Sequence, residues 1–278
     1  MNRRFQAPLN LAPHTDPVTV NDPARRTAPA LRHAFSKVPE VTALFWLIKV
    51  LTTGMGETAS DYLAHTLGPL PAVGLAGLGL VVALAAQFAV RRYLAGVYWT
   101  AVVMVSVFGT LAADVVHVGF RVPYVVSTLV FAVALAVIFL VWRRVEGTLS
   151  IHSIFTPRRE VFYWLTVLTT FALGTAAGDW TARSLGLGWF GSAWLFAALI
   201  LVPPVLRLRF GLGEVTAFWW AYVLTRPLGA SIADWMAVPH AQGGLGLGTG
   251  PVTLGWAAVI ALLVASLAVS RRDVQRSD

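Results

Sequence analysis

The chain has 278 residues, of which 57% are apolar or aromatic and only 12% are charged. Soluble domains carry about twice that charged fraction, so this composition excludes a disordered chain and most soluble enzymes. The absence of cysteine excludes disulfides, thiolate metal sites and cysteine nucleophiles. Such a composition cannot cover a water-facing surface, and it predicts an all-α integral membrane protein.

Eight apolar runs are each long enough to cross a bilayer as a helix, which needs about 20 residues. The predicted spans are 41–63, 72–91, 97–117, 123–142, 161–182, 190–207, 214–237 and 252–270. The runs are apolar on all sides, which predicts transmembrane helices rather than the shorter, alternating strands of a barrel. Residues 1–37 and 271–278 are polar, and we expect them to form disordered cytoplasmic tails.

The basic residues indicate the orientation of these helices. All but four of the 21 Lys and Arg residues lie in the two tails or at helix ends on the same side of the membrane. The other four are Arg121 and Arg183 on the opposite side, and Lys49 and Arg226 within spans. By the positive-inside rule both termini are cytoplasmic. The net charge of +8 therefore follows from topology and does not indicate a nucleic-acid partner.

An internal repeat runs through the odd-numbered spans. Each of them opens with an aromatic pair that ends in Trp, and a Gly and an Asp follow at fixed distances. The pattern W-x9-G-x4-D occurs four times with the same spacing. Its tryptophans are Trp46, Trp99, Trp164 and Trp219, its glycines are Gly56, Gly109, Gly174 and Gly229, and its aspartates are Asp61, Asp114, Asp179 and Asp234. The surrounding residues have drifted widely, so these three positions are the constrained ones.

These four blocks, with Gly56-Glu57-Thr58 in the first, resemble a family of bacterial inner-membrane proteins. That family consists of four tandem copies of a two-helix repeat of unknown function with a characteristic Trp. The resemblance covers about residues 38–270, with predicted repeats at 38–96, 97–150, 151–213 and 214–270. It implies the architecture and a bacterial inner-membrane location, and it implies no activity.

All four repeats have the same orientation, because a pair of spans returns the chain to the same side. Each Asp then lies about 22 Å along the helix axis from its Trp. We expect the tryptophans at the cytoplasmic interface, as in an aromatic belt, and the aspartates near the outer boundary of the bilayer. Small residues before each Asp predict close packing of helices 1, 3, 5 and 7 around a pseudo-symmetric centre, with the even-numbered helices outside.

The repeated carboxylates form a candidate cation site. Glu57 lies one helical turn before Asp61 on the same helix face, and the equivalent positions of the next two repeats are Thr110 and Thr175. Five carboxylates in a low-dielectric centre need bound cations, protons or basic partners. Two basic side chains that lie in the same helices are available to neutralise two of them, namely Lys49 and Arg226.

Three functions are compatible with this pattern. The first is transport of a hard divalent cation (Mn²⁺, Mg²⁺ or Ca²⁺) exchanged for protons, because oxygen ligands without sulfur favour such ions. Its ligands would be Glu57, Asp61, Asp114, Asp179 and Asp234. The second is structural, with the aspartates capping helices or bonding to neighbouring helices. The third is a membrane sensor or scaffold, or a carrier of an organic cation that contacts aromatic rings.

Two histidines are further candidates at the outer mouth. His65 and His117 follow their aspartates by about one helical turn, so they are either metal or proton-relay groups or interfacial histidines in contact with water. No Ser-His-Asp, H-E-x-x-H or P-loop arrangement is present, and we do not expect an enzyme. Apart from a bound divalent cation no cofactor is expected, and the expected partners are the lipid bilayer and the cation substrate. The sequence leaves both a monomer and a homodimer open.

Overall fold

The computed structural model describes residues 36–274, and these residues form eight α-helices and no strand. The helices are α1 (Ala43–Leu67), α2 (Pro69–Ala89), α3 (Ala95–Asp114), α4 (Tyr124–Glu146), α5 (Pro157–Asp179), α6 (Gly188–Phe210), α7 (Glu214–Ala237) and α8 (Thr249–Ser270). Each agrees with a predicted apolar run to within about one helical turn. The expected disorder of residues 1–35 and 275–278 concerns segments outside the described residues.

The helix ends follow ordinary capping chemistry. The Thr42 hydroxyl accepts a hydrogen bond from the backbone of Phe45 at the start of α1, and Thr156 caps α5 in the same way. At their other ends, α3 and α5 each continue into a wide π-helical turn, Val115–Gly119 and Trp180–Ser184 respectively. Both turns begin at the residue after a repeat aspartate, and π turns are frequent at functional sites.

The odd-numbered helices lie inside and the even-numbered helices outside, as expected. Helices α1, α3, α5 and α7 contact one another in a closed inner ring, in that order, with α7 returning to α1. Three outer helices pack mainly on the inner helix that follows them in the sequence, α2 on α3, α4 on α5 and α6 on α7. The last outer helix, α8, packs mainly on the first inner helix, α1. The core of the protein is therefore the interior of the inner ring.

Six of the eight described helices, α2 to α6 and α8, are long and apolar enough to cross a membrane. In α4, α6 and α8 only 17% of an 18-residue apolar stretch is buried inside the protein, whereas 56% of the corresponding stretch is buried in α3 and α5. The outer helices thus present apolar side chains to their surroundings, as a lipid-facing surface requires. Helices α1 and α7 are equally long but carry internal charges, among them Lys49, Glu57 and Arg226. The chain is an all-helical membrane protein.

Lys37 and Asp273, which were predicted to lie in disordered tails, are buried instead. The Lys37 ammonium donates to the buried carboxylate of Glu160 at 2.6 Å. Asp273 accepts a hydrogen bond from the Tyr93 hydroxyl, and its backbone carbonyl accepts one from the Glu40 backbone. Burial raises the pKa of the Asp273 carboxyl, and the bond from Tyr93 acts in the opposite direction. These contacts hold both ends of the described chain against the same end of the helix bundle.

Candidate functional site

The four repeat tryptophans form a closed aromatic layer at one end of the inner ring, which we call the tryptophan end. The first aromatic residue of each pair contacts the Trp of the following repeat at centroid distances of 5.6 to 6.3 Å, in the pairs Phe45–Trp99, Tyr98–Trp164, Tyr163–Trp219 and Phe218–Trp46. Three of the tryptophans are buried and Trp46 is partly buried. Each Trp is thus covered by an aromatic side chain of the neighbouring inner helix. The location of these tryptophans at the cytoplasmic interface stays a prediction.

The repeat glycines allow the inner helices to approach closely. Each faces the residue seven positions after the Trp of the neighbouring repeat, in the pairs Gly56–Ser106, Gly109–Phe171, Gly174–Arg226 and Gly229–Thr53. A Cβ atom on any of these glycines would lie only 1.8 to 2.8 Å from an atom of that facing side chain. The glycine of the repeat is therefore required by helix packing.

Arg226 crosses the centre of the inner ring. Its Nη2 atom donates to a carboxylate oxygen of Glu57 at 2.5 Å, to the Thr175 hydroxyl at 2.7 Å, and to the Thr110 hydroxyl. Its Nη1 atom donates to the backbone carbonyl of Thr53 at 3.4 Å. Arg226 is 0% exposed and Glu57 is 6% exposed, so this is a buried ion pair with hydroxyl support. Residues at one repeat position on three helices thus meet at a single nitrogen atom.

Lys49 is also fully buried, and its ammonium has no hydrogen-bond partner among residues 36–274. The Lys49 Nζ atom lies 4.4 Å from the ring centroid of Phe171 and 4.3 Å from that of Tyr222. The guanidinium carbon of Arg226 lies 5.5 Å from the same Phe171 ring. Arg226 thus pairs with one of the predicted carboxylates, whereas Lys49 lies against aromatic faces.

The four repeat aspartates lie at the opposite end of the inner helices, which we call the aspartate end. Asp179 forms an ion pair with Arg183 at 3.0 Å. The side chains of the other three, Asp61, Asp114 and Asp234, have no hydrogen-bonded or ion-paired partner within the described part of the chain.

The acidic side chains at this end act on one another through their charges. Asp61, Asp114 and Asp234 each interact electrostatically with Glu57 and with Asp179. Asp61 and Asp114 are partly exposed, and Asp179 and Asp234 are buried. Within residues 36–274 no three His, Asp or Glu side chains come close enough together to hold a metal ion. The arrangement is a set of neighbouring carboxylates rather than a preformed cage.

The two candidate histidines have different surroundings. His65 is exposed near the end of α1. His117 is buried in the π turn after α3, with its Nδ1 atom 3.1 Å from the Ser127 hydroxyl and its ring 4.4 Å from the Tyr124 ring. Both of these contacts are with the outer helix α4, and a role of either histidine in metal or proton transfer stays a prediction.

The aromatic partners of Lys49 were missed by sequence reasoning. Phe171 occupies the same repeat position as Arg226, seven residues after the Trp, and Tyr222 occupies the same position as Lys49, three residues after the Trp. Both positions are buried in all four repeats. The available signal was the fixed distance of these two positions from the repeat Trp. The residue types at these positions differ among the four repeats, so no sequence motif identifies them.

The Repeat of Unknown Function (DUF347) matches the chain four times, at residues 44–93, 97–148, 162–211 and 217–273. The chain belongs to the DUF347 repeat family. Each DUF347 repeat comprises one inner and one outer helix and contains one copy of the Trp, Gly and Asp pattern. This confirms the resemblance to a family with four copies of a repeat of unknown function. A search of the curated proteins and a search of the solved structures find no match.

Proposed function

We propose that this DUF347 protein transports a cation across the bacterial inner membrane, through the aspartate end and the interior of the inner ring. One observation carries the proposal: three of the four repeat carboxylates have no partner in the described residues. The Trp and the Gly of each repeat are needed for packing, and no comparable contact with another described residue accounts for these aspartates. Charged groups within membrane helices are costly, and they mark ion pathways and proton relays.

We further propose that all eight helices cross the membrane as four parallel, pseudo-symmetric repeats with both termini in the cytoplasm. Helices α1 and α7 are the two described helices that do not qualify as membrane spans by length and composition alone, and they carry the internal charges of Lys49, Glu57 and Arg226. These three side chains are buried inside the ring and do not meet lipid. Basic residues at the tryptophan end, such as Arg143 and Arg207, support a cytoplasmic location for that end.

The oxygen-rich lining favours a hard divalent cation, Mn²⁺, Mg²⁺ or Ca²⁺, exchanged for protons. Glu57 and the four aspartates would supply its charged ligands, with hydroxyl support from Thr110 and Thr175. Because the carboxylates do not converge on one point, water would complete the coordination shell, as Mg²⁺ in particular requires. Protons compete with metal for carboxylates, so binding would weaken as the pH falls.

A second candidate, an organic-cation carrier, is favoured by the surroundings of Lys49. Its ammonium lies against the rings of Phe171 and Tyr222 without a hydrogen-bond partner among the described residues. The interior of the ring therefore accommodates an ammonium group by aromatic contact, which is how quaternary ammonium ligands are recognised.

The test is cation uptake by the purified protein in liposomes, with and without a pH gradient. Mn²⁺, Ca²⁺ and Mg²⁺ are offered to the wild type and to Asp61→Asn and Asp114→Asn. These substitutions remove a charge and keep the side-chain shape, and we expect uptake to fall about tenfold, as the loss of one charge-assisted contact implies. Glu214→Gln is the control, because Glu214 is an exposed carboxylate at the other end of α7.

Unchanged uptake in both folded aspartate variants would exclude the aspartate end from the pathway. Uptake of tetramethylammonium without uptake of any of the three metals would favour the organic-cation carrier. The absence of flux for all four ions would overturn transport and favour a sensor or scaffold.

A further inference from the structure

The contacts of Arg226 differ from those of an ordinary arginine–carboxylate pair. A guanidinium usually binds a carboxylate through two nitrogens that form parallel hydrogen bonds. Here three side-chain oxygens, from Glu57, Thr110 and Thr175, surround the single atom Nη2. A terminal guanidinium nitrogen carries only two hydrogens, so it cannot donate fully to three acceptors. The oxygens converge on a point, which is the arrangement that a monatomic cation requires.

The origin of these oxygens in the repeat supports the same interpretation. Glu57, Thr110 and Thr175 each lie eleven residues after the Trp of their repeat. In the fourth repeat this position is Ala230, which contributes no oxygen from its side chain. That repeat instead supplies Arg226, from one turn earlier on the same helix. Three repeats thus provide oxygen ligands, and the fourth provides a cation.

The cluster is built and fully enclosed. Arg226 and Thr110 are 0% exposed, Thr175 is 2% exposed and Glu57 is 6% exposed. Arg226 fills the space against Gly174, where even a Cβ atom would lie 2.2 Å from its side chain. A free cation has no room at this point while the guanidinium is present.

We propose that the convergence point of Glu57, Thr110 and Thr175 is a buried cation site, and that Arg226 is a tethered cation that occupies it in this closed state. This inference rests on the proposed transport function and specifies its central step. Arg226 must leave before a free cation enters, because the two share the same oxygens. Asp61 and Asp234 at the aspartate end interact electrostatically with Arg226, and we expect their carboxylates to attract the displaced guanidinium.

The direct test replaces the tethered guanidinium with a free one. Arg226→Ala leaves the oxygen cluster without its cation, and methylguanidinium is then added to the purified protein in detergent. We expect methylguanidinium to raise the unfolding temperature of Arg226→Ala and not that of the wild type. Adding Glu57→Gln to Arg226→Ala should weaken methylguanidinium binding about tenfold, because a charged acceptor is lost. Equal responses of wild type and Arg226→Ala, or no response of either, would overturn the proposal.

A second variant tests whether Arg226 blocks the buried cation site, without deleting Arg226. Thr175→Val keeps the shape of the side chain and removes one oxygen that holds Nη2. We expect the passive leak of Na⁺ and Mn²⁺ from liposomes to rise several-fold, because Arg226 is held less tightly in its site. Thr170→Val is the matched control, since Thr170 is a buried threonine of α5 whose hydroxyl donates to the Val167 carbonyl of its own helix. An equal leak through the two variants would overturn the proposal that Arg226 blocks the buried cation site. This test holds even where Arg226→Ala does not fold.

The failure of this inference is distinguishable from the failure of transport itself. Transport by the wild type that depends on Asp61, together with an Arg226→Ala variant that does not bind methylguanidinium, would overturn the buried site alone. Binding of methylguanidinium to Arg226→Ala by a protein that shows no flux would overturn transport and leave the buried site standing.

Discussion

The two ends of the inner ring come from the same repeat and have opposite physical character. At the tryptophan end, eight aromatic side chains contact one another around the ring, and Tyr98 and Tyr163 bring their hydroxyl oxygens to within 2.5 Å. At the aspartate end, the same four helices carry the four repeat aspartates, and among the described residues Asp179 alone of these forms an ion pair, with Arg183. The tryptophan end is a closely packed aromatic layer. The aspartate end carries acidic side chains, most of which have no basic partner among the described residues.

This difference separates the residues of the repeat that are required by packing, Trp and Gly, from the residue for which we propose a function, Asp. The Trp and the Gly of each repeat have visible contacts on the neighbouring helix, and those contacts account for the residue type. Three aspartates have no such contact within residues 36–274, although an unpaired carboxylate in a membrane protein is unfavourable. An Asp that is present in all four repeats, and that has no partner among the described residues in three of them, points to a ligand, which is the basis of the proposed cation pathway.

The largest effect on stability is expected from Trp99→Ala at the tryptophan end. Trp99 is 1% exposed and contacts Phe45 of the preceding repeat and Tyr98 of its own. Removing a buried indole leaves a cavity, and we expect a loss of about 3 kcal/mol or more in the free energy of unfolding. Denaturant titration in detergent measures this loss. A change as small as that of an exposed substitution such as Trp194→Ala would show that the aromatic layer is not closely packed.

An intermediate effect is expected from Gly174→Ala, which lies between the two ends. The added Cβ would lie 2.2 Å from Arg226 Cγ and 3.0 Å from Pro227 Cδ, so α5 and α7 would have to separate. We expect a loss of about 1–3 kcal/mol from overpacking, measured in the same titration. Gly74→Ala in α2 is the control, because no atom lies within 4 Å of its added Cβ. A loss no larger than that of the control would contradict the close helix contact.

The smallest effect on stability is expected from Asp114→Asn at the aspartate end. The carboxylate has no partner among the described residues and interacts unfavourably with Glu57 and Asp179. We expect the free energy of unfolding to change by no more than about 0.5 kcal/mol, as for a substitution that breaks no contact. The comparison predicts that this variant stays folded and loses uptake. Strong destabilisation would mean that Asp114 has a structural role after all.

Much of the architecture could be predicted from the sequence because its signals are local. Eight apolar runs gave eight helices, and the fixed spacing of Trp, Gly and Asp gave the four repeats. The direction in which side chains face was harder to predict. The four repeat tryptophans pack against aromatic side chains of the neighbouring inner helix, and spacing along one helix gave no signal of that contact. Lys37 and Asp273 are buried although their polar neighbours favoured disorder, because single partners far away in sequence, Glu160 and Tyr93, compensate them.

The sequence by itself determined the class of protein, the number and length of the helices within residues 36–274 and the positions of the repeated residues. Each of these depends on hydrophobicity and spacing along a single helix. The tertiary structure decided which charges meet: Glu57 is paired with Arg226 across the ring, at a separation of 169 residues along the chain, and Lys49 lies against aromatic rings. The reason is that the closed ring brings one repeat position of each inner helix to a shared centre. Partners at that centre depend on which helices are neighbours, and spacing along one helix contains no information about its neighbours.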